Sequence, residues 1–308
     1  MKNILIAGGL PQDCLQLMEQ HFNLFRMDQA DDKDAFLAKH ATEIDGVSGG
    51  AIGAELMDKL PNLTIIANFG VGYDNIDVAA AKARNIIVTN TPNRLNAAVA
   101  ELTLGLMIAL ARRIPKNHEM VRNGHWPSVK RAPLTGQLAG AKLGILGLGR
   151  IGKAIAKRAE ACDMDISYFG RTDQHNLYRY FDDLTEMANH VDWLVIIAPG
   201  GADTDKLVNA DVIDALGPEG FLVNIARGSI VDEAALITAL EQGKLGGAAL
   251  DVFENEPHVP DTLRNLPNVV LSPHAGSATH VTRQQMGAQV VDNLIAYFDT
   301  GEPLDPVT

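Results

Sequence analysis

Up to about residue 91, short apolar runs alternate with stretches of helical periodicity. Residues 4–7, 44–47, 64–67 and 86–88 read as strands, with helices at 12–20, 54–60 and 78–83. Such alternation predicts a parallel sheet covered by helices on both faces, whose ligands gather beyond the carboxyl ends of the strands. A polar, proline-marked stretch at 90–98 suits a crossing between domains. Residues 96–113 then predict one long helix with Leu102, Leu106 and Leu110 on a single face for core or subunit contact, ended with the help of Pro115. Alternation resumes with six strands at 143–146, 166–169, 193–197, 221–225, 248–252 and 269–271, the count of a dinucleotide-binding domain. A last helix, residues 279–298, is long enough to return to the first domain.

Between Lys142 and Gly152 a buried strand breaks into a glycine-rich turn and then a helix. Gly147, Gly149 and Gly152 fall at the G-x-G-x-x-G spacing: the first permits a tight turn, the second admits a pyrophosphate, and the third lets helix and strand pack closely. Ordinary turns also collect glycines, but the apolar strand before this one and the strong helix formers from Lys153 to Ala161 favour a dinucleotide site. The helix start offers unpaired N–H groups and its positive dipole end to an anion.

Composition narrows the class. The 308 residues, 46% of them hydrophobic, suffice for two domains with a core each. A net charge of −12 argues against nucleic acid and anionic membrane surfaces as partners. Cys14 and Cys162 lack metal or redox spacing and predict reduced, buried thiols. The apolar start, residues 1–7, is too short for a signal peptide, and the most apolar helix holds ten residues, so a cytoplasmic protein is expected. No metal is expected: His274 and His280 lack a third ligand at zinc spacing, and Asp182-Asp183 reads as a helix start.

A NAD site places a carboxylate at the end of its second strand to bind the ribose hydroxyls. Here that strand ends in Gly170-Arg171-Thr172, and a guanidinium beside a hydroxyl suits the 2′-phosphate of NADP(H). NADP(H) is therefore the preferred cofactor and NAD(H) the alternative, with nearby Asp173 a complication. Three later strands end in polar groups: Arg227 after the fourth, Asp251, Glu254 and Glu256 after the fifth, His274 after the sixth. Reduction of a keto acid needs a cation for the carboxylate and carbonyl and an acid for the new alkoxide, and Arg227 and His274 supply them. Glu256 is the carboxylate chosen to orient His274, as in other His–carboxylate pairs. In the first domain, Gly70 and Gly72 of the loop 68–77 stand where successive backbone N–H groups meet an anion.

Nearly the whole chain resembles the D-isomer-specific 2-hydroxyacid dehydrogenase family, through Gly-Leu-Gly-Arg-Ile-Gly at 147–152, Ala-Arg-Gly-Ser-Ile-Val-Asp-Glu at 226–233, Ala-Leu-Asp-Val-Phe-Glu-Asn-Glu-Pro at 249–257 and Ser-Pro-His-Ala-Gly-Ser at 272–277. The segments 166–172 and 253–260 look most like its glyoxylate/hydroxypyruvate reductase branch, hydroxyphenylpyruvate reductase included. The resemblance implies an α/β fold of two doubly wound parallel-sheet domains, a flavodoxin-like substrate domain (1–95 plus 281–308) and a Rossmann cofactor domain (96–280). It implies NADPH-dependent reduction of a small 2-keto acid, with Arg227, Glu256 and His274 catalytic. Substrate contacts would come from Val71, Gly72, Arg227 and His274. The implied cofactor site draws Leu148, Gly149, Arg150, Ile151 and Gly152 from the turn, and Arg171 and Thr172 from the second strand. Pro199, Thr204, Ile225, Ala226, Arg227, Asp251, His274 and Gly276 complete it. Family members are usually homodimers through the cofactor domains, with residues 96–113 at the contact. One departure stands out: Gly200-Gly-Ala-Asp-Thr204 replaces the Leu-Thr-Pro-Glu-Thr of many relatives, which loosens the loop near the cofactor. Two alternatives accompany this reading: reduction of bulkier aryl pyruvates, and a non-catalytic dinucleotide-sensing regulator similar to the C-terminal-binding corepressors. Phe69, Tyr73 and Trp126 are candidates to line an aryl pocket, although core packing is the expected role of each.

Overall fold

A computed structural model describes residues 1–175 and 177–307. It divides into two compact units, Met1–Leu95 with the segment from Ala278 onward, and Asn96–Ser277. Thr308, the last residue of the range expected for the first domain, lies outside the described residues.

The first unit contains β1 (Lys2–Ile6), α1 (Gln12–Glu19), β2 (Phe22–Arg26), α2 (Lys33–His40), β3 (Gly46–Ser48), α3 (Ala54–Lys59), β4 (Ile65–Ala67), α4 (Val78–Ala83) and β5 (Ile87–Thr89). All pairings are parallel, in the order β2-β1-β3-β4-β5, which is the flavodoxin-like arrangement. Leu5 and Ala7 pack into one core while Ile4 and Ile6 pack into another, so the sheet is covered on both faces. Strand β2 and helix α2 are additions to the sequence reading. Phe22-Asn-Leu-Phe-Arg carries an asparagine and an arginine, and an edge strand tolerates that polarity because only one side is paired.

The second unit opens with α5 (Asn96–Ala111), α6 (Ile114–Arg122) and α7 (Trp126–Val129). It continues through β6 (Lys142–Leu146), α8 (Arg150–Glu160), β7 (Asp165–Phe169), β8 (Arg179–Phe181), α9 (Leu184–His190), β9 (Trp193–Ile196), α10 (Ala210–Leu216), β10 (Phe221–Asn224), α11 (Glu233–Glu241), β11 (Gly247–Leu250), α12 (Asp261–Asn265) and β12 (Val269–Leu271). The helix α13 (His280–Thr300) returns to the first unit. The sheet order is β12-β11-β10-β9-β6-β7-β8, so the strand count is seven, not six. The missed strand, Arg179-Tyr-Phe181, is a three-residue edge pairing with Ser167–Phe169, too short and polar to show a period. Relative to β6, the order is that of a Rossmann sheet with one added strand, and its switch point lies between β6 and β9.

Helix α5 stops at Ala111, before the expected 113, because Arg113 adopts φ 50° and breaks the helical path. Pro115 then begins α6 instead of ending α5, as suits a residue with no N–H to satisfy. No helix of the described residues is long and apolar enough to cross a membrane.

Candidate active site

The glycine turn shows which glycine does what. Gly147 has φ 104°, and a Cβ there would lie 2.9 Å from the Ala198 nitrogen, so this turn crosses the end of β9 with no room for a side chain. A Cβ on Gly152 would stand 2.2 Å from the Gly147 carbonyl oxygen, which fixes the close approach of α8 to the turn. Gly149 differs: nothing lies within 4 Å of its Cβ position, and its φ of −80° suits any residue. It is the exposed N-cap of α8 with no side-chain cap, so the first N–H groups of that helix face open space. This shape fits a diphosphate. Leu148 and Gly152 are buried, whereas Arg150 is exposed and Ile151 is half-buried.

At the end of β7, Arg171 and Thr172 are exposed. Asp173 is exposed too, but its carboxylate is occupied: it accepts from the His175 amide (2.8 Å) and the Tyr168 hydroxyl (2.8 Å), and these bonds hold it below the usual range. The carboxylate that complicated the cofactor choice is thus engaged within its own loop. Gln174 anchors that loop by donating to the Leu148 carbonyl at 2.8 Å.

The polar strand ends meet at the other side of the sheet. Arg227 follows β10, and its guanidinium donates to the Ala226 carbonyl at 2.7 Å. Asn224 clamps this loop from below, accepting from the Ala226 amide (3.1 Å) and donating to the Arg227 carbonyl (2.8 Å). Gly228 brings the loop against the next strand end, since a Cβ there would fall 2.0 Å from the Phe253 backbone. From that segment Glu256 reaches back, accepting from the Phe253 amide through Oε1 (3.1 Å) and meeting His274 Nδ1 through Oε2 at 2.7 Å. Glu233 secures the same turn by accepting from the Glu254 amide at 3.2 Å, and burial pushes its carboxyl up.

His274 has φ 50°, a left-handed conformation that its surroundings must impose. Asp251, fully buried, imposes it: its carboxylate accepts from Ser272 Oγ (2.5 Å) and the amides of Ala275 (2.7 Å) and Gly276 (2.9 Å), while its carbonyl accepts from the His274 amide (2.8 Å). The imidazole is half-exposed at 48%, and its Nε2 has no partner among the described residues. Of the other expected cofactor residues, Ile225 and Ala226 are buried and Pro199 is exposed; the Thr204 hydroxyl donates to the Pro199 carbonyl at 2.8 Å.

In the first unit, Asn68 donates to the carbonyls of Gly70 (3.1 Å) and Gly72 (2.8 Å), Asn90 donates to that of Val71 (2.9 Å), and the Thr91 amide to Gly70 (3.0 Å). Three successive carbonyls are thereby held, while the Val71 and Gly72 amides have no acceptor among the described residues. That arrangement suits an anion. Asn68, Asn90, Asn224 and Gly228 were not singled out in the sequence, although Asn68 and Asn90 directly follow strands, Asn224 ends one and Gly228 lies in the loop after it.

Other expectations are corrected. Tyr73 (40% exposed) and Trp126 (54%) are not core residues, because both stand on exposed polar segments; Phe69 alone of the three packs against a core. Cys162 is half-buried, whereas Cys14 is buried with its thiol pushed up to about 12. Asp183 caps α9 through the Glu186 amide. Among the described residues no group of three His, Cys, Asp or Glu is placed to hold a metal ion.

Comparison with known proteins follows the same division. Residues 104–276 match the family model of the D-isomer specific 2-hydroxyacid dehydrogenase NAD binding domain. The chain is 46% identical over 294 residues to glyoxylate/hydroxypyruvate reductase A of Arabidopsis thaliana, covering 94% of each. It is also 46% identical over 293 residues to the hydroxyphenylpyruvate reductase of Plectranthus scutellarioides, covering 94% of this chain and 93% of that one. Among solved structures, the NADPH-dependent glyoxylate/hydroxypyruvate reductase of Sinorhizobium meliloti, in complex with NADP and malonate, superposes with a TM-score of 0.95 at 46% identity, covering 100% of this chain and 97% of that one.

Proposed function

The chain belongs to the D-isomer-specific 2-hydroxyacid dehydrogenase family, and on that premise we propose that it reduces glyoxylate and hydroxypyruvate to 2-hydroxy acids with NADPH, giving the D isomer where the product is chiral. The observation that carries this reading is the pair of His274 and Glu256 at 2.7 Å, held next to the loop that bears Arg227. A reduced nicotinamide, when bound, would supply the hydride for the keto carbon. Arg227 binds the substrate carboxylate and polarises the carbonyl, a charge-assisted contact that suits a planar guanidinium. Glu256 accepts the Nδ1–H of His274, which leaves Nε2 to carry the proton given to the alkoxide. The Val71 and Gly72 amides belong to the first unit, the substrate domain in this reading, and are its contribution to binding the substrate carboxylate.

The second unit holds the dinucleotide. Gly149, Arg150 and Ile151 offer backbone amides to the diphosphate, Arg171 and Thr172 bind the 2′-phosphate, and Pro199, Ala226 and Asp251 stand at the nicotinamide half. A cytoplasmic homodimer with α5 at the contact belongs to the same reading. A panel of 2-keto acids, run with NADPH and NADH and followed by loss of reduced-nicotinamide absorbance, tests it together with Arg227→Ala and His274→Gln. Arg227→Ala is expected to cut kcat/KM by orders of magnitude, since several kcal/mol are lost and each ~1.4 kcal/mol is tenfold. His274→Gln is expected to collapse kcat while NADPH still binds. Normal turnover in either variant removes that residue from the site. The 46% identity to a hydroxyphenylpyruvate reductase supports a second reading, reduction of aryl pyruvates, and 4-hydroxyphenylpyruvate in the same panel separates the two.

A further inference from the structure

One cation of the first unit is not used by the mechanism above. Arg283 lies near the start of α13, whose N-cap is Thr279 and whose first turn carries no acidic residue. A positive charge near the positive end of a 21-residue helix is unfavourable by itself. Its guanidinium sits 5.5 Å over the ring of Phe69. The side chain is half-buried, and burial pulls the guanidinium below its ordinary value with no opposing cause. Among the described residues no carboxylate lies within ion-pair distance and no oxygen accepts from its N–H groups.

Each of these features costs stability, and an aliphatic side chain over Phe69 would avoid all of them. A cation–π contact offsets only part of the cost and leaves five N–H donors unspent. The placement is informative: Phe69 begins the loop whose carbonyls are held by Asn68 and Asn90 and whose Val71 and Gly72 amides are open. Arg283 therefore lies against the residue that opens an anion-accepting backbone, and its donors exceed what a carboxylate held by those two amides requires.

We propose that Arg283 determines specificity by binding an oxygen of the group attached to the substrate's third carbon, a carboxylate more tightly than a hydroxyl. The proposal rests on the reading of the chain as a 2-keto acid reductase with Val71 and Gly72 at the substrate carboxylate. Three substrates differ only at that carbon: pyruvate bears hydrogen there, hydroxypyruvate a hydroxyl, and oxaloacetate a carboxylate. A donor aimed at the third carbon separates them, whereas one aimed at the shared carboxylate does not.

The test measures kcat and KM for this series, with glyoxylate as the substrate lacking a third carbon, in wild type, Arg283→Met and Arg283→Lys, at saturating NADPH. Thermal melting of each variant reports on the fold. The expected result in Arg283→Met is a loss of kcat/KM of about tenfold or more for hydroxypyruvate and a larger one for oxaloacetate, as befits hydrogen bonds to a charged group. Pyruvate and glyoxylate are expected to change by less than about threefold, roughly half a logarithmic unit. Arg283→Lys is expected to restore part of the loss for oxaloacetate, because it keeps the charge. An equal loss across all four substrates, or none, overturns the proposal, as does a wild type that prefers pyruvate to hydroxypyruvate. Failure of the wild type on every 2-keto acid with either cofactor is a different outcome: it overturns the reductase reading itself.

Discussion

Gly149 and Gly152 stand three residues apart in one motif, and the structure gives them opposite sensitivities to the same methyl group. In Gly152→Ala the new Cβ would stand 2.2 Å from the Gly147 carbonyl oxygen. An ordinary contact of carbon with carbonyl oxygen is about 3.3 Å, so α8 and the turn must separate by roughly 1 Å. Overpacking of this kind costs about 1–3 kcal/mol, and in a unit of this size each kcal/mol lowers Tm by about 2–4 °C. In Gly149→Ala nothing lies within 4 Å and φ is −80°, so the fold accepts the methyl. Alanine is a poorer N-cap than glycine by about 0.5 kcal/mol, but it also restricts the unfolded chain by about 0.4–1 kcal/mol, and the two nearly cancel. The methyl does fill the space in which a diphosphate would meet the amides of α8. Loss of one charge-assisted hydrogen bond there is worth about 1.5–3 kcal/mol, or roughly 10- to 100-fold in Kd. Melting curves and NADPH titration by nicotinamide fluorescence read both quantities on both variants. The reasoning is refuted if Gly149→Ala binds NADPH within about twofold of wild type, a difference under ~0.4 kcal/mol, or if Gly152→Ala melts unchanged.

Three other perturbations separate the remaining roles. Arg171→Ala is expected to lower kcat/KM with NADPH by roughly 10- to 100-fold and to leave NADH unaffected, because the proposed reading assigns this guanidinium to the 2′-phosphate alone; equal losses with both cofactors would contradict that assignment. Asn68→Ala frees the Gly70 and Gly72 carbonyls, so KM for the keto acid is expected to rise about tenfold with kcat little changed, on the scale of a lost buried hydrogen bond; an unchanged KM would show that the amides hold their orientation without it. Asp28 is held below its ordinary range chiefly by the Arg26 guanidinium, bonded at 2.8 and 2.7 Å. With its folded value depressed, the unfolded chain binds the proton more readily, so this pair's stabilisation is full above the ordinary carboxylate range and is lost as pH falls through the folded value. Tm of Asp28→Asn should therefore fall less steeply than that of wild type below about pH 4, near the ordinary aspartate value; parallel curves would exclude the linkage.

How much of this was legible in the sequence depended on what each element needed from its neighbours. Strands buried on both faces, such as Leu143–Leu146 or Trp193–Ile196, announce themselves as apolar runs because the parallel sheet exposes neither face. Edge strands do not: Phe22–Arg26 and Arg179–Phe181 mix polar and apolar residues because one flank stays open, and their pairing is decided by the strand next to them. The break after Ala111 had no apolar signature either. Arg113 takes a positive φ there, and Pro115 is as compatible with starting a helix as with ending one, so tertiary packing made the choice.

The site was legible as residue types and illegible as contacts, and the sheet register explains both. Asn224, Leu250 and Leu271 are cross-strand partners on β10, β11 and β12, three neighbours in the sheet. Arg227 lies three residues beyond the first of them and His274 three beyond the last, with Asp251 directly after the middle one. Parallel neighbours about 4.8 Å apart therefore deliver the guanidinium and the imidazole to the same edge, however distant they are along the chain. Once the strands are recognised, that convergence follows from the order alone. The carboxylate does not follow: Glu256 lies six residues beyond Leu250 and reaches His274 only because the chain folds back so that Phe253 donates to it. Nor does the orientation of the imidazole, which depends on three donors converging on a buried Asp251. In the sequence Asp251 is one acid among three at a strand end. In the fold it is the group that holds the loop of His274 in a backbone conformation histidine would otherwise avoid, so a buried carboxylate fixes the backbone from which the imidazole projects.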